Sequence, residues 1–179
     1  MKRKTLFEGK YKRFVTEQGW EFVERVKCGG IVVIFALTEA RKVLFVEQLR
    51  VPVGARVIEF PAGLASDKEG HENESLEEAA RRELLEETGY DAERMVPVFS
   101  GPLAAASNVD IATFFKAENI RKKGAGGGDE TEDILVHEVP LDQVDGWLLQ
   151  KQSEGFLIDP KIYAGLYFFN KIFGPDFQA

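Results

Sequence analysis

One predicted helix carries two glutamates on the side that should be apolar. The sequence predicts this helix over residues 75–88, with a capping box at its start and a glycine just after its end. At about 100° per residue, Glu83 and Glu87 fall between Ala79 and Ala80, which should face a sheet. We therefore expect both carboxylates to point toward the rest of the fold and not into solvent.

This arrangement favours a metal site. Like charges at i and i+4 repel one another and burial raises the cost, so the pattern has no structural benefit. Mg²⁺ binds a few carboxylates together with water and substrate phosphate, and Glu86 flanks the other two. A solvated acidic face, as on a protein-interaction domain, is the competing interpretation, and it suits Glu77 and Glu78. The azimuth of Glu83 and Glu87 argues against it, so we expect Mg²⁺, with Mn²⁺ as a substitute.

The elements around this helix predict an α/β fold with a mixed sheet. Alternating residues predict a hairpin of residues 5–16 and 19–27. Further strands are predicted at residues 32–37, 43–46, 56–60, 94–100, 109–117 and 133–139, and further helices at residues 141–152 and 160–173. Strands and helices follow one another in a mixed order, which favours a sandwich over a doubly wound parallel sheet. The glycine-rich residues 124–128 predict a flexible loop.

The helix and the segment before it resemble the Nudix box, G-x5-E-x7-R-E-U-x-E-E-x-G-U, where U is apolar. The second half is matched by Arg82-Glu83-Leu84-Leu85-Glu86-Glu87-Thr88-Gly89-Tyr90, with Glu74 in its place before it. The box glycine is best matched by Gly63, which leaves about five additional residues in the loop of residues 65–73. Four further segments resemble the subgroup of ADP-ribose and nucleoside-diphosphate-sugar pyrophosphatases. They are residues 20–25 (WEFVER), 47–50 (EQLR), 59–63 (EFPAG) and 130–133 (ETED).

This resemblance implies a Nudix α/β/α sandwich with a mixed sheet and an N-terminal antiparallel β extension. The extension would occupy residues 1–40 and the catalytic domain residues 41–179. In the resembling enzymes the N-terminal strands cross to a partner subunit, so a homodimer formed through these strands is expected.

The resemblance also implies roles for single residues. The metal would be bound by Glu83, Glu87 and the backbone carbonyl of Ala62. Glu86 would be a further metal ligand or would hold one of the ligands in place, and it would take part in catalysis. The general base would be Glu130 or Glu132, between which the sequence does not decide. From the residues themselves, we expect Arg82 to pair with a neighbouring carboxylate and hold it in place rather than contact substrate.

Candidate substrate contacts lie near the start of the chain. Trp20 would stack on the nucleobase, flanked by Glu21 and Arg25, although a Trp packed on an ordinary strand is an equal alternative. Arg50 follows a buried strand and could bind a phosphate with its planar fork of donors. A surface cation is the alternative for Arg50.

A second candidate lies near the end of the chain. Asp159 and Pro160 suit the start of a helix. The spacing of Asp159 and Lys161 also resembles a signature of nucleoside-diphosphate-sugar hydrolases, where the pair serves substrate recognition, and the S-P-G stretch of ADP-ribose enzymes is absent from residues 101–108. The expected activity is Mg²⁺-dependent cleavage of a nucleoside diphosphate sugar into a nucleoside monophosphate and a sugar phosphate. An ADP-ribose pyrophosphatase and a non-catalytic nucleotide-sensing module are the alternatives.

The composition of the chain limits the classes of partner that we expect. A formal charge of −7 argues against nucleic acid as a partner. The single cysteine, Cys28, excludes a disulfide within the chain, and no apolar run reaches the length of a membrane span. We identify no signal peptide and expect a cytoplasmic protein by default. The expected partners are a small-molecule nucleotide sugar and a second copy of the chain, without a membrane.

Overall fold

The computed structural model describes residues 2–128 and 133–172, with side chains as far as residue 168. Within these residues the chain forms strands β1 to β13 and helices α1 to α3. The strands are β1 (Lys4–Glu8), β2 (Lys12–Glu17), β3 (Trp20–Arg25), β4 (Gly30–Ala36), β5 (Lys42–Arg50), β6 (Ala55–Glu59), β7 (Ala62–Ala65), β8 (Tyr90–Asp91), β9 (Arg94–Pro102), β10 (Ile111–Glu118), β11 (Arg121–Lys122), β12 (Ile134–Pro140) and β13 (Leu157–Ile158). The helices are α1 (Leu76–Thr88), α2 (Val144–Ser153) and α3 (Pro160–Ile172).

Two four-stranded sheets form the body of the fold. One has the order β7-β4-β10-β9, in which β10 runs parallel to β4 and antiparallel to β9. The other has the order β12-β5-β6-β13, in which only the β6–β13 pair is parallel. Both sheets are therefore mixed, as the sequence predicted. Strands β1 to β3 form a separate antiparallel sheet, and β8 pairs with β11.

The core has two parts, and α1 covers one of them. Aromatic rings fill the part beneath α2 and α3, where Phe35 packs edge-on against Phe60 with ring centroids 5.0 Å apart. On the other side, Ala79, Ala80 and Leu84 of α1 are fully buried against the sheets. The two alanines let the helix backbone approach closely, and burial of Leu84 contributes about 1.5–3 kcal/mol. This packing fixes the rotation of α1 about its own axis.

The N-terminal sheet differs from the predicted hairpin. The predicted turn at Gln18 and Gly19 is confirmed, since both residues have positive φ (52° and 85°), as a two-residue hairpin turn requires. The single predicted strand over residues 5–16 is wrong, because a turn at Gly9, whose N–H donates to the carbonyl of Lys12 (2.8 Å), divides it into β1 and β2. The short strands β7, β8, β11 and β13 were not predicted. The division of the chain at residue 40 stays a prediction.

Candidate active site

The start and end of α1 set which of its residues face inward. Ser75 caps the helix: its hydroxyl accepts the N–H of Glu78 (3.2 Å), and the Glu78 carboxylate accepts the N–H of Ser75 (2.8 Å). Gly89 ends the helix with φ of 73°. In this register Glu83 and Glu87 are only 8% and 2% exposed. The predicted inward direction of both carboxylates is therefore confirmed.

Arg82 connects the carboxylates of this region. Its guanidinium donates to both oxygens of Glu74 (Nε 3.1 Å and Nη2 2.8 Å), to Glu83 (2.7 Å) and to Glu86 (3.2 Å). It also donates to the backbone carbonyl of Leu64 (2.9 Å), which ties the helix to β7. The hydrogen bonds from Arg82 lower the pKa of Glu74. Arg82 thus has the structural role that the sequence predicted.

The buried carboxylates meet the backbone of β7. The N–H of Ala62 donates to Glu87 (3.0 Å). A Cβ on Gly63 would overlap the carboxylate group of Glu83, so any larger residue at this position would displace that side chain. Burial raises the pKa of Glu83 to about 7, against the opposing effect of Arg82. Gly63, which matches the glycine of the Nudix box, therefore leaves room for the carboxylate of Glu83.

Glu86 is held from the other side by a residue that the sequence analysis did not single out. The ammonium of Lys68 donates to Glu86 (2.7 Å). Lys68 belongs to the loop of residues 65–73, where the chain departs from the Nudix box, and no periodicity there could have indicated the contact. The cluster of carboxylates therefore already contains a lysine cation.

One cleft joins this cluster to residues from distant parts of the chain. Its volume is about 430 Å³. It is lined by Arg25, Ile31, Val33, Arg50, Glu59, Ala62, Gly63, Leu64, Asp67, Lys68, Glu83, Leu103 and Lys161. Four of these side chains are cationic, which suits an anionic ligand such as a diphosphate.

The cations of the cleft are held by carboxylates next to them. Arg50 donates to Glu59 (2.6 Å), a carboxyl whose pKa is raised by burial and lowered, to a lesser degree, by Arg50. Arg25 lies 3.3 Å from Asp110. The ammonium of Lys161 bonds to the carboxylate of Asp159 at the start of α3.

Asp159 also has the predicted capping role. Its Oδ1 accepts the N–H of Lys161 (2.7 Å), and Pro160 is the first residue of α3. The cap and the ion pair together place Lys161 in the wall of the cleft. Asp159 therefore positions Lys161, and does not line the cleft itself.

Two predicted substrate contacts lie away from this cleft. Trp20 is 62% exposed and lines a separate cavity of about 280 Å³ with Phe22 and Asn108. Glu21 is exposed on the same strand. The predicted base candidates Glu130 and Glu132 lie outside the described residues.

The glycine-rich residues 124–128 pack against the end of α1. The N–H groups of Gly127 and Gly128 donate to the carbonyls of Glu87 (2.8 Å) and Glu86 (3.0 Å). Gly126 has φ of 76°, and a Cβ on it would overlap the backbone of the last turn. These glycines are therefore needed for close backbone contact, which the prediction of a flexible loop did not include.

The expected donor set, which is the carboxylates of Glu83, Glu86 and Glu87 with the backbone carbonyl of Ala62, would suit a hard divalent cation because all its donors are oxygen atoms. Within residues 2–128 and 133–172, no three acidic, His or Cys side chains converge as a group that could hold a metal. The glutamate oxygens instead face Arg82, Lys68 and the N–H of Ala62.

In the same described part of the chain, no helix combines the length and apolar character needed to cross a membrane.

Comparison with known proteins identifies relatives over most of the chain. The family model described as "NUDIX domain" matches residues 29–158. A methanol dehydrogenase activator of Bacillus methanolicus is 32% identical over 130 residues, which cover 72% of this chain and 68% of the relative. An ADP-ribose pyrophosphatase of Bacillus subtilis (strain 168) is 32% identical over 123 residues, covering 66% of this chain and 62% of the relative. A GDP-mannose pyrophosphatase of Citrobacter koseri is 30% identical over 142 residues, covering 75% and 66%.

A solved structure supports the fold. The crystal structure of an ADP compounds hydrolase superposes with a TM-score of 0.64 over 83% of this chain and 80% of that one, at 19% sequence identity. This likeness concerns the fold alone. The family model covers residues 29–158, which include Gly63 on β7 and the glutamates of α1. The chain therefore belongs to the Nudix hydrolase family, as its resemblance to the Nudix box implied.

Proposed function

We propose that this Nudix hydrolase cleaves the pyrophosphate bond of a nucleoside diphosphate sugar in a Mg²⁺-dependent reaction. Water adds to one phosphorus, the bridging P–O bond breaks, and a nucleoside monophosphate and a sugar phosphate result. The observation that carries the proposal is the single cleft that holds Glu83 at the helix and Arg25, Arg50 and Lys161 along its walls. Cations that line one cleft suit the diphosphate, and the carboxylates suit the metal.

The metal ligands in this proposal are Glu83, Glu87 and the carbonyl of Ala62, with Glu86 beside them. When bound, a divalent cation would neutralise the phosphate oxygens and lower the pKa of an attacking water. The protein's own contribution is to hold the ligands in place: Arg82 fixes Glu83, and the N–H of Ala62 fixes Glu87. Mn²⁺ has similar ligand preferences and should substitute.

Proton removal from the water is assigned to Glu130 or Glu132. Both lie within four residues of Gly128, whose N–H is bonded to the Glu86 carbonyl at the end of α1. This anchor next to the metal ligands supports the assignment of a base from this segment.

The relatives name two substrate classes, a sugar nucleotide and ADP-ribose. GDP-mannose pyrophosphatase and ADP-ribose pyrophosphatase match this chain at 30% and 32% identity, so similarity alone does not separate them. Lys161 lines the cleft, where an ammonium can neutralise a phosphate of either substrate. The nucleotide-sugar proposal is supported instead by the resemblance of Asp159 and Lys161 to the signature of nucleoside-diphosphate-sugar hydrolases. ADP-ribose, which is itself a nucleoside diphosphate sugar, is the second candidate.

The nucleobase contact requires a second copy of the chain. Trp20 and Glu21 lie outside the cleft of their own chain, so we propose that they reach the cleft of a partner in a homodimer formed by the N-terminal strands. The exposed apolar side chains of this sheet, Phe7 (69%) and Tyr11 (70%), support such an interface. Sedimentation of the full chain as a monomer would contradict this part of the proposal.

Phosphate release tests the activity. GDP-mannose, ADP-ribose and other nucleoside diphosphate sugars are incubated with the full chain and a phosphatase that acts on the products, with and without Mg²⁺. Glu83→Gln should lower kcat by about 10³-fold or more, because the lost charge acts in metal catalysis. Glu77→Gln is the matched control, since Glu77 is exposed on the same helix, and it should be near wild type. Turnover of no diphosphate would favour a nucleotide-sensing module, and near-normal Glu83→Gln activity would refute the metal assignment.

A further inference from the structure

Lys68 places a positive charge inside the proposed metal site. Its ammonium is 2.7 Å from a Glu86 oxygen, and it lines the same cleft as Glu83, Ala62 and Gly63. The lysine therefore neutralises one carboxylate that a divalent cation would use, and it faces the same cleft as a second one, Glu83.

Two cations share this cluster, and they differ in how firmly they are held. Arg82 is 11% exposed and is tied to both oxygens of Glu74 and to the Leu64 carbonyl, so it cannot leave without breaking the link between α1 and β7. Lys68 is 34% exposed and its partner Glu86 is 33% exposed. A lysine has a flexible four-carbon stem and a point charge that needs no fixed orientation. Lys68 is thus the cation that a metal ion can replace.

We propose that Lys68 is a built-in competitor for the metal: its ammonium neutralises Glu86 until a divalent cation enters and takes that oxygen. The proposal rests on the metal site of the proposed function. It assigns a role to the loop of residues 65–73, in which this chain departs from the Nudix box. That loop would tune how much free metal the enzyme needs, by weakening metal binding while stabilising the metal-free protein.

Direct metal binding tests the idea without an activity assay. Mn²⁺ is titrated calorimetrically into the full chain, prepared free of metal, for the wild type and for Lys68→Met, Lys68→Arg and Lys116→Met. Lys116 lies 3.1 Å from Glu118 on β10, away from the cleft, so its loss changes the net charge equally without touching the site. We expect Lys68→Met to bind Mn²⁺ about fivefold more tightly, from the strength of a partly exposed ion pair and the repulsion of a dication. Lys68→Arg and Lys116→Met should bind Mn²⁺ like the wild type.

Thermal unfolding supplies an independent readout. Without metal, Lys68→Met should unfold at a lower temperature than the wild type, because Glu86 loses its counter-charge, and saturating Mn²⁺ should remove this difference for Lys68→Met but not for Lys116→Met, whose lost ion pair lies outside the site. Unchanged or weaker Mn²⁺ binding by Lys68→Met, or a gain that Lys116→Met shares, would overturn the role of Lys68 and leave the proposed function intact. Failure of the wild type to bind Mn²⁺ more tightly than Glu83→Gln would overturn the metal site and, with it, this inference.

Discussion

Replacement of Arg82 by methionine should destabilise the metal-free protein by about 3–5 kcal/mol, the usual cost of removing one partner from a buried ion pair. The side chains of Arg82, Glu74 and Glu83 are only 11%, 6% and 10% exposed, so water cannot replace the lost guanidinium. The carbonyl of Leu64 loses a donor as well. Because the guanidinium serves several acceptors at once, we expect a loss near the upper end of the range.

Urea unfolding at neutral pH, followed by circular dichroism, measures this loss. Arg81→Met is the matched control, because Arg81 is 53% exposed on the same helix and its bond to Asp91 should contribute at most about 1 kcal/mol. A loss of less than 1 kcal/mol for Arg82→Met, or one equal to that of the control, would refute the idea that this network supports α1.

The same variant has an expected pH dependence. Arg82 lowers the pKa of Glu74 in the folded protein, so the stabilisation by this contact is fully present above the pKa of an unfolded glutamate. It is lost as the pH falls through the lower pKa of the folded state. The difference in stability between wild type and Arg82→Met should therefore shrink as the pH is lowered below about 4.

Three further predictions concern close packing and a buried phenol. Gly63→Ala should lower kcat by about 10²-fold in the phosphate-release assay, because its Cβ displaces Glu83, and normal turnover would contradict the described contact. Gly126→Ala should cost about 2 kcal/mol or more in urea unfolding, since it adds both a clash and a strained positive φ, and full stability would exclude the packing of the glycine run. Burial raises the pKa of Tyr90 to about 12, so the absorbance change that Tyr90→Phe removes from a titration should lie above the range of an ordinary tyrosine, and stability should fall as the pH rises toward 12. Loss of that absorbance change near pH ~10, the ordinary value for tyrosine, would contradict this.

The parts of the site that could be predicted from the sequence are those encoded locally. The capping box at Ser75, the glycine at position 89 and the inward azimuth of Glu83 and Glu87 all follow from residues within one helix. Helical periodicity and capping depend on neighbours three or four positions away, so a single sequence contains the full pattern. The mixed sheets followed in the same way from the order of the elements.

The parts that were missed depend on contacts between distant segments. Lys68 lies 18 residues before Glu86, in a loop without periodicity, so only the folded chain shows their contact. The glycine run resembles a flexible loop until the backbone of α1 is beside it, and only then do Gly126 and its neighbours have a packing reason. The position of Lys161 in the cleft was expected only from the resemblance, because its local sequence equally fits an ordinary helix start.

The last turns of α1 show how the fold accommodates a helix that is unfavourable by itself. Three inward or flanking carboxylates would repel one another, yet each meets a donor. The strand β7 supplies the N–H to Glu87, Lys68 of the preceding loop serves Glu86, and Arg82 of α1 itself serves Glu83. Two of these donors are fixed, the N–H of Ala62 by the sheet and Arg82 by its bond to the Leu64 carbonyl, and they hold Glu87 and Glu83 in place. The third, Lys68, comes from a loop and is partly exposed, and in our proposal it gives way to the metal. A site assembled in this way should remain folded without metal and still respond to its concentration, which ties the stability of the helix directly to the chemistry it would perform.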